Sequence, residues 1–368
     1  MYKPKKKVLQ VKYPPITTFP GYANTLSILS NYEKTFDWIY SHYIQIFAID
    51  LPNRSASDYS DAGCFFVDYD PRRLANITSS YILLNREGCP FLHNYEVPNS
   101  LVLSMGISFE TFIKQCIDLS SYVISLVDVS KIKAYNRDSE LSHDMFIYGY
   151  DDDEGVFYYA DFPNNASNQY NYSKCSYQEM ENAFESITNA SFPYLKTIAF
   201  AQYCDYRTYV LDMSFVRETI RDYLYPNRYR AQQFNKYIEA RYAFAEWKSN
   251  VYLGVELYDY LSDYIGFELG LGKKRVSVVL YHAMYDHKEL MLLRLKYLLE
   301  NSHLAVEKLP LVREYQKVKD ICLMIRNQIT KYNATQNSAI LPRIRAALGE
   351  AKDLEVRLLS EIFDVHRD

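Results

Sequence analysis

Hydrophobic and polar positions change their rhythm near residue 210. Before it, apolar residues run in short blocks bounded by turn residues, at Cys64–Asp68, Tyr81–Leu84, Tyr122–Val129, Met145–Tyr150, Val156–Ala160 and Leu195–Gln202, which is the pattern of strands. Two stretches in that half keep helical spacing instead, one beginning near Tyr22 after the break at Pro20 and Gly21, the other over Phe109–Leu119. After residue 210, apolar positions recur three and four apart across 213–225, 230–265, 274–302, 308–333 and 338–363, punctuated by Pro226, Gly270, Gly272, Pro310 and Pro342. A helix, then antiparallel strands, then helices alone predicts an α+β domain over residues 1–210 and an all-helical domain over 211–368.

Within the first half, Ser142–Pro163 reads SHDMFIYGYDDDEGVFYYADFP. His143 heads one strand, the acidic turn Asp151–Glu154 with Gly155 reverses the chain, and Asp161 ends the returning strand. The turn has a hairpin's length and lacks the DxDxDG spacing of a calcium loop. Pairing the two strands brings their outer ends, and so His143 and Asp161, together. A carboxylate beside an imidazole fixes its tautomer and stabilises its cation, as a general base requires.

A histidine heading a strand, a GYD turn and an aspartate closing the next strand resemble the papain-like cysteine peptidases of the C39-like branch. Within that branch the chain is similar to the butirosin biosynthesis protein H family, whose helical half VYLGVELYDYLSDYI and YHAMYDHKELMLLRLKYLLE also resemble. The resemblance implies a papain-like (C39-like) N-terminal domain. It also implies transfer of an acyl group from a thioester to a small amine, forming an amide in antibiotic assembly. The donor would arrive on the phosphopantetheine arm of an acyl or peptidyl carrier protein, and the protein itself would hold no cofactor. His143 and Asp161 match the family's base and its partner. The family's nucleophilic cysteine opens the first helix, which here is TTFPGYANTLSIL. Helix register places that position on Ala23, with Tyr22 the alternative and Asn24 beside it as a substrate-side donor. An alanine there is expected to be a replacement of the thiol in an otherwise complete site. The competing readings are a catalytically silent binding protein of the same fold, or a cysteine peptidase. The glutamine that such peptidases carry upstream is missing, its region being Thr17, Thr18 and Phe19.

Six cysteines are scattered without CxxC spacing and read as reduced thiols. Cys89, in an exposed Gly88–Pro90 turn with His93 following, is the rival nucleophile, although a proline directly after it makes the position extended. Cys116 and Cys322 sit in apolar helical patterns, and Cys64, Cys175 and Cys204 follow no helix start. The formal charge of −4 gives no case for nucleic acid, and no apolar run of membrane length occurs, so a cytoplasmic protein is expected. The basic start, Lys3–Lys7, reads as a frayed tail. The 37 tyrosines suit the walls of a cleft for an amphipathic ligand, but a coding bias toward Tyr, Asn, Lys and Ile accounts for the larger share of them. His282, Asp286 and Glu289 share one helix face, where a metal could bridge them, but without a metal motif they read as a polar seam. Lys288 and Arg294 would balance Glu256, Asp259 and Asp263 of the preceding helix. The helical half would shape the acceptor side of the cleft or a homodimer contact.

Overall fold

The computed structural model describes residues 4–50, 65–69, 89–163, 169–188, 197–226, 250–270 and 274–367. In chain order the described strands are β1 (Lys6–Val8), β2 (Ile46–Asp50), β3 (Phe65–Tyr69), β4 (Leu92–Pro98), β5 (Ser121–Asp128), β6 (Ser142–Asp151), β7 (Val156–Asp161), β8 (Asn171–Ser176), β9 (Thr197–Tyr203) and β10 (Asn250–Leu253). The described helices are α1 (Pro20–Leu29), α2 (Phe36–Ser41), α3 (Asn99–Ser104), α4 (Phe109–Asp118), α5 (Tyr177–Thr188), α6 (Met213–Leu224), α7 (Glu256–Gly270), α8 (Val278–Glu300), α9 (Leu309–Thr335) and α10 (Leu341–Phe363). The fold is mixed α and β, with an antiparallel sheet and a helical C-terminal region. None of the described helices is long and apolar enough to cross a membrane. The chain forms two compact units, Met1–Ile39 with Leu74–Val210, and Tyr40–Arg73 with Leu211–Asp368. The break after 210 coincides with the change of sequence rhythm. The segment from Tyr40 clusters with the second unit, where β2 supplies a strand, and not with residues 1–210 as linear order suggests.

In the first unit the described strands build a seven-stranded sheet in the order β4-β9-β5-β6-β7-β8, with β1 on β6, all antiparallel. All eight residues of β5 are buried, because it is central and both its faces are covered. One face carries Val123, Val127, Met145, Ile147, Phe157 and Tyr159 against the apolar stripes of α4 and α5. Each helix contributes residues one turn apart, such as Phe109, Ile113 and Cys116, or Met180, Ala183 and Phe184. The Phe109 and Phe184 rings stack at 3.7 Å between centroids. The Ser108 hydroxyl accepts from Thr111 N, and the Glu181 carboxylate of α5 accepts from Phe109 N and Glu110 N, so the start of α4 is satisfied twice over. On the opposite face α1 packs against β6.

From Lys5 onward the basic start is not frayed, Lys3 lying outside the described residues. Lys6, Lys7 and Val8 pair with Asp151, Tyr150 and Gly149, and the lysines neutralise the acidic turn: Lys6 to Asp151 at 2.7 Å, Lys5 to Asp153 at 3.0 Å. Gly149 allows this approach, since a Cβ there would stand 3.0 Å from both Lys7 O and Val8 Cα. The strand expected at 81–84, the start of that at 195–202, Cys64, and most of the helix expected over 230–265 lie outside the described residues. At 250–253 that expected helix gives way to β10, which pairs with β2. Gly254 ends the strand at φ +55°, where an added Cβ would lie 2.0 Å from Tyr223 O.

The second unit has a three-stranded sheet, β10-β2-β3, and the helices α6 to α10. Its centre is polar. Glu355 of α10, 0% exposed, receives hydrogen bonds from the hydroxyls of Tyr223, Tyr258 and Tyr315 and lies 2.8 Å from the Lys288 ammonium. His287 stands beside them, its Nδ1 3.1 Å from Lys288 Nζ and its Nε2 2.8 Å from Ile44 O. Lys288 and Arg294 therefore do not balance α7. Arg294 donates to the carbonyls of Tyr40 and His42, Asp259 pairs with Lys352, and Glu256 accepts from Leu253 N. The reason is burial: both cations lie on the inner side of α8, and inner positions are met by whatever α10 and the chain after α2 present. Lys288→Met, leaving Glu355 without its counter-charge, is expected to cost about 3–5 kcal/mol, and Lys288→Met with Glu355→Leu much less. Urea denaturation of the three proteins checks this, and a single substitution as mild as the double would refute it.

Candidate active site

The His143–Asp161 pair depends on an irregularity in the hairpin. From the tip outward, Asp151 pairs with Val156, Tyr150 with Phe157 and Gly149 with Tyr158, and then the register slips, so that Ile147 pairs with Tyr159 and Phe146 with Ala160. Tyr148 is the extra residue of this β-bulge. Without the slip Asp161 would stand opposite Phe146, on the face away from His143. With it, the next pair out sets Asp161 opposite Met145, which shares its face with His143. The carbonyl of Tyr148 is not orphaned, since it accepts from Leu9 N at 2.8 Å, just past β1.

On that face the Nδ1 of His143 lies 2.9 Å from Oδ2 of Asp161. The carboxylate is 0% exposed and the imidazole side chain 31%, so the acid is sealed while the ring keeps one side open. The same Oδ2 accepts from the hydroxyl of Tyr135, while no donor among the described residues reaches Oδ1. Burial alone would push the imidazole down, but the Asp161 charge and hydrogen bond, helped by Asp144, raise it to about 9. Burial and the same negative charge push the Tyr135 phenol far up, which keeps it a donor.

Tyr135 belongs to a short 3-10 turn, Lys133–Tyr135, that ends on Asn136 in the left-handed conformation. The turn is held by Glu179, whose carboxylate accepts from Lys133 N at 3.1 Å, and the chain on either side of it by Asp128 at the end of β5, whose carboxylate accepts from Ser130 N, Leu141 N and Ser186 Oγ. Although burial works against it, those hydrogen bonds hold the Asp128 carboxyl below its usual range. The Tyr135 ring then lies parallel to that of Tyr159, 6.4 Å away. Nothing in the spacing of KIKAYNRDSE marks Tyr135. Its only sequence signal is an aromatic residue three positions after Ile132 in a polar connection.

Rings lead from the imidazole toward α1. Phe162 stands edge-on to His143 at 6.1 Å and to Tyr170 at 5.6 Å, and the Tyr170 hydroxyl donates to Asn24 Oδ1 at 3.0 Å. The Ser27 and Tyr172 hydroxyls make a second tie at 3.1 Å. Asn24 is thus a brace of the first helix against the aromatic layer, buried with its carbonyl occupied. Ala23 is 0% exposed, and its N–H makes the first rung of α1, to Phe19 O at 3.0 Å. Tyr22 is buried on the preceding position, its ring edge-on to Phe19 at 6.0 Å.

None of the described cysteines offers a ready thiolate. Burial pushes Cys116 and Cys322 up to about 12, Cys89 and Cys175 further still, and Cys204 upward. Cys89 is buried, not exposed in a turn, and the Nε2 of His93 lies 2.6 Å from the Tyr206 hydroxyl. The polar seam on α8 is also spoken for. His282 sits 3.7 Å from Asp286, Arg326 approaches its Nδ1 at 3.3 Å, and Glu289 pairs with Lys319 at 3.0 Å. No group of three or more metal-binding side chains occurs among the described residues.

No protein-family description matches this chain, and no curated protein matches it either. An imidazole held above its ordinary value stabilises the fold below about pH 6.5, where it is charged in folded and unfolded chains alike, and that stabilisation is lost as pH rises through about 9. Asp161→Asn should accordingly lower the His143 titration midpoint below that of the parent and cost more stability at about pH 6 than at about pH 10. Histidine NMR and denaturation at both pH values check this, and equal losses at the two would contradict it.

Proposed function

We propose that the chain is built for acyl transfer of the kind its hairpin resembles, from a carrier-protein thioester to a small amine, with His143 as the acid–base group, Asp161 behind it and an α1 side chain as the position of the nucleophile. The observation that carries this reading is the buried Asp161 carboxylate 2.9 Å from an imidazole that remains partly open. An imidazolium of that strength is suited to hold a thiolate, and this reading requires the start of α1, which packs on the other face of the sheet, to reach it past the end of β6. In a thiol-bearing form, the thiolate attacks the thioester carbonyl, and the carrier thiol leaves with the proton from His143. The amine then attacks the acyl-enzyme, gives a proton to His143 and departs as the amide, returning the thiolate. A thioester donor makes this direction favourable without ATP, provided water is kept from the acyl-enzyme. The apolar rings around His143 suit that need.

As it stands, the chain has Ala23 where the thiol would be and cannot form the acyl-enzyme. A second reading, a binding protein that uses the same cleft, is favoured by the full burial of Ala23 and by the commitment of its N–H to the helix ladder, which leaves that group no part in an oxyanion hole. Ala23→Cys separates the two. Intact-protein mass spectrometry should show an acyl adduct with a simple thioester on Ala23→Cys, none on the parent, and its discharge onto an amine. Adding His143→Gln should slow adduct formation by about 10²–10⁴-fold. Absence of the adduct on Ala23→Cys would remove acyl transfer and leave the binding protein.

A further inference from the structure

We infer that Tyr135 is a positioning residue that competes with His143 for one oxygen of Asp161 and so limits how firmly the imidazole keeps its proton. Both donors converge on Oδ2. Since no described donor reaches Oδ1, the phenol and the imidazole are the two groups among which the buried charge is shared. A carboxylate oxygen that already accepts a strong hydrogen bond has less negative charge to offer a second donor. The phenol therefore draws the charge of Asp161 away from the imidazolium, and at the same time ties the carboxylate to the Lys133–Tyr135 turn.

The other groups that face this pair are few. Asp144 flanks His143 on β6 and adds to its proton affinity. Opposite His143 on β5 stands Val127, which carries no charge. Tyr170, on the approach to β8, feels the Asp161 charge, but its hydroxyl is spent on Asn24. Tyr159 feels it too, from within the ring pair with Tyr135. None of these donates to the Asp161 oxygen that His143 uses. Among the described residues Tyr135 is therefore placed to tune the pair without touching the imidazole.

The place of this tuning in an acyl transfer rests on the function proposed above, whereas the titration that tests it does not, so the two fail separately. The experiment is a histidine NMR titration of the full chain, with the His143 signal assigned by its loss in His143→Gln. Tyr135→Phe removes one hydroxyl and keeps the ring packed on Tyr159. It should raise the His143 midpoint by about half a pH unit or more. A merely structural role would leave the midpoint where it is, or lower it by letting Asp161 swing away, and either result overturns the inference. Should Tyr135→Phe not fold, 3-fluorotyrosine at position 135 makes the phenol a stronger donor and should lower the midpoint. An unchanged or raised midpoint in that protein overturns the inference equally.

Discussion

The site stands or falls with one extra residue in a strand. Side chains of a β-strand alternate faces, so a slip of one residue moves everything beyond it to the other side of the sheet. At Tyr148 that slip turns the outer part of β6 so that His143, Met145 and Ile147 share a face with Tyr159 and Asp161. The bulge is held from both edges: β7 pairs on either side of it, and on the other edge β5 stops at Ile147 while β1 takes over at Gly149. The lysine-bearing start of the chain is thus part of what holds the imidazole in place. Its Lys5 and Lys6 neutralise the hairpin tip, and the Leu9 N–H satisfies the carbonyl that the bulge would otherwise leave exposed.

A second constraint recurs in both units. Each buries a carboxylate completely and bonds it to tyrosine hydroxyls: Asp161, through Oδ2, to Tyr135, and Glu355 to Tyr223, Tyr258 and Tyr315. A buried charge is costly unless its lone pairs are met, and a phenol meets one while its ring adds apolar area to the core. The difference between the two lies in the cation. Lys288 closes the second cluster into a sealed ion pair, 1% and 0% exposed, whereas His143 leaves the first with an open side. The same building principle gives a sealed ion pair in one unit and a partly open imidazole in the other. It also gives some of the 37 tyrosines a physical task that coding bias does not supply.

Periodicity made most of the architecture legible. The alternation over Met145–Tyr150 and Val156–Ala160, and the helical spacing after residue 274, correspond to elements whose ends differ by a few residues from the pattern. The hairpin pattern brings together the strand ends that carry His143 and Asp161, but a regular hairpin with that turn would keep the two side chains on opposite faces, and no local pattern marks the bulge that sets them on one. Tyr135 was invisible because its contact is set by a turn and a brace at Asp128 that no local pattern encodes. The role of Lys5–Lys7 is hidden from the pattern for a related reason. A run of like charges reads as solvated until its partner, here an acidic turn about 145 residues away, is brought beside it by the sheet. The partners of Lys288 and Arg294 were likewise set by tertiary packing across α10 and the chain after α2, not by the adjacent helix.

What the first helix contributes follows from its hydrogen-bond ladder. The four leading N–H groups of a helix have no intrahelical acceptor, and proline at the first position removes one of them. In α1 the ladder begins at Ala23, so the N–H groups ahead of it are those of Phe19, Gly21 and Tyr22. A thiol on Ala23 would therefore lie on the fourth residue of the helix, within the first turn that carries its positive end but without its own N–H to offer a developing oxyanion. On the proposed function, the donors for that oxygen must come from the residues just before it. That places the weight of catalysis on how α1 is seated, which the Asn24–Tyr170 and Ser27–Tyr172 contacts decide. The aromatic layer under the helix is then the link between the two halves of the site. It ties the sheet that carries the imidazole to the start of the helix on its other face.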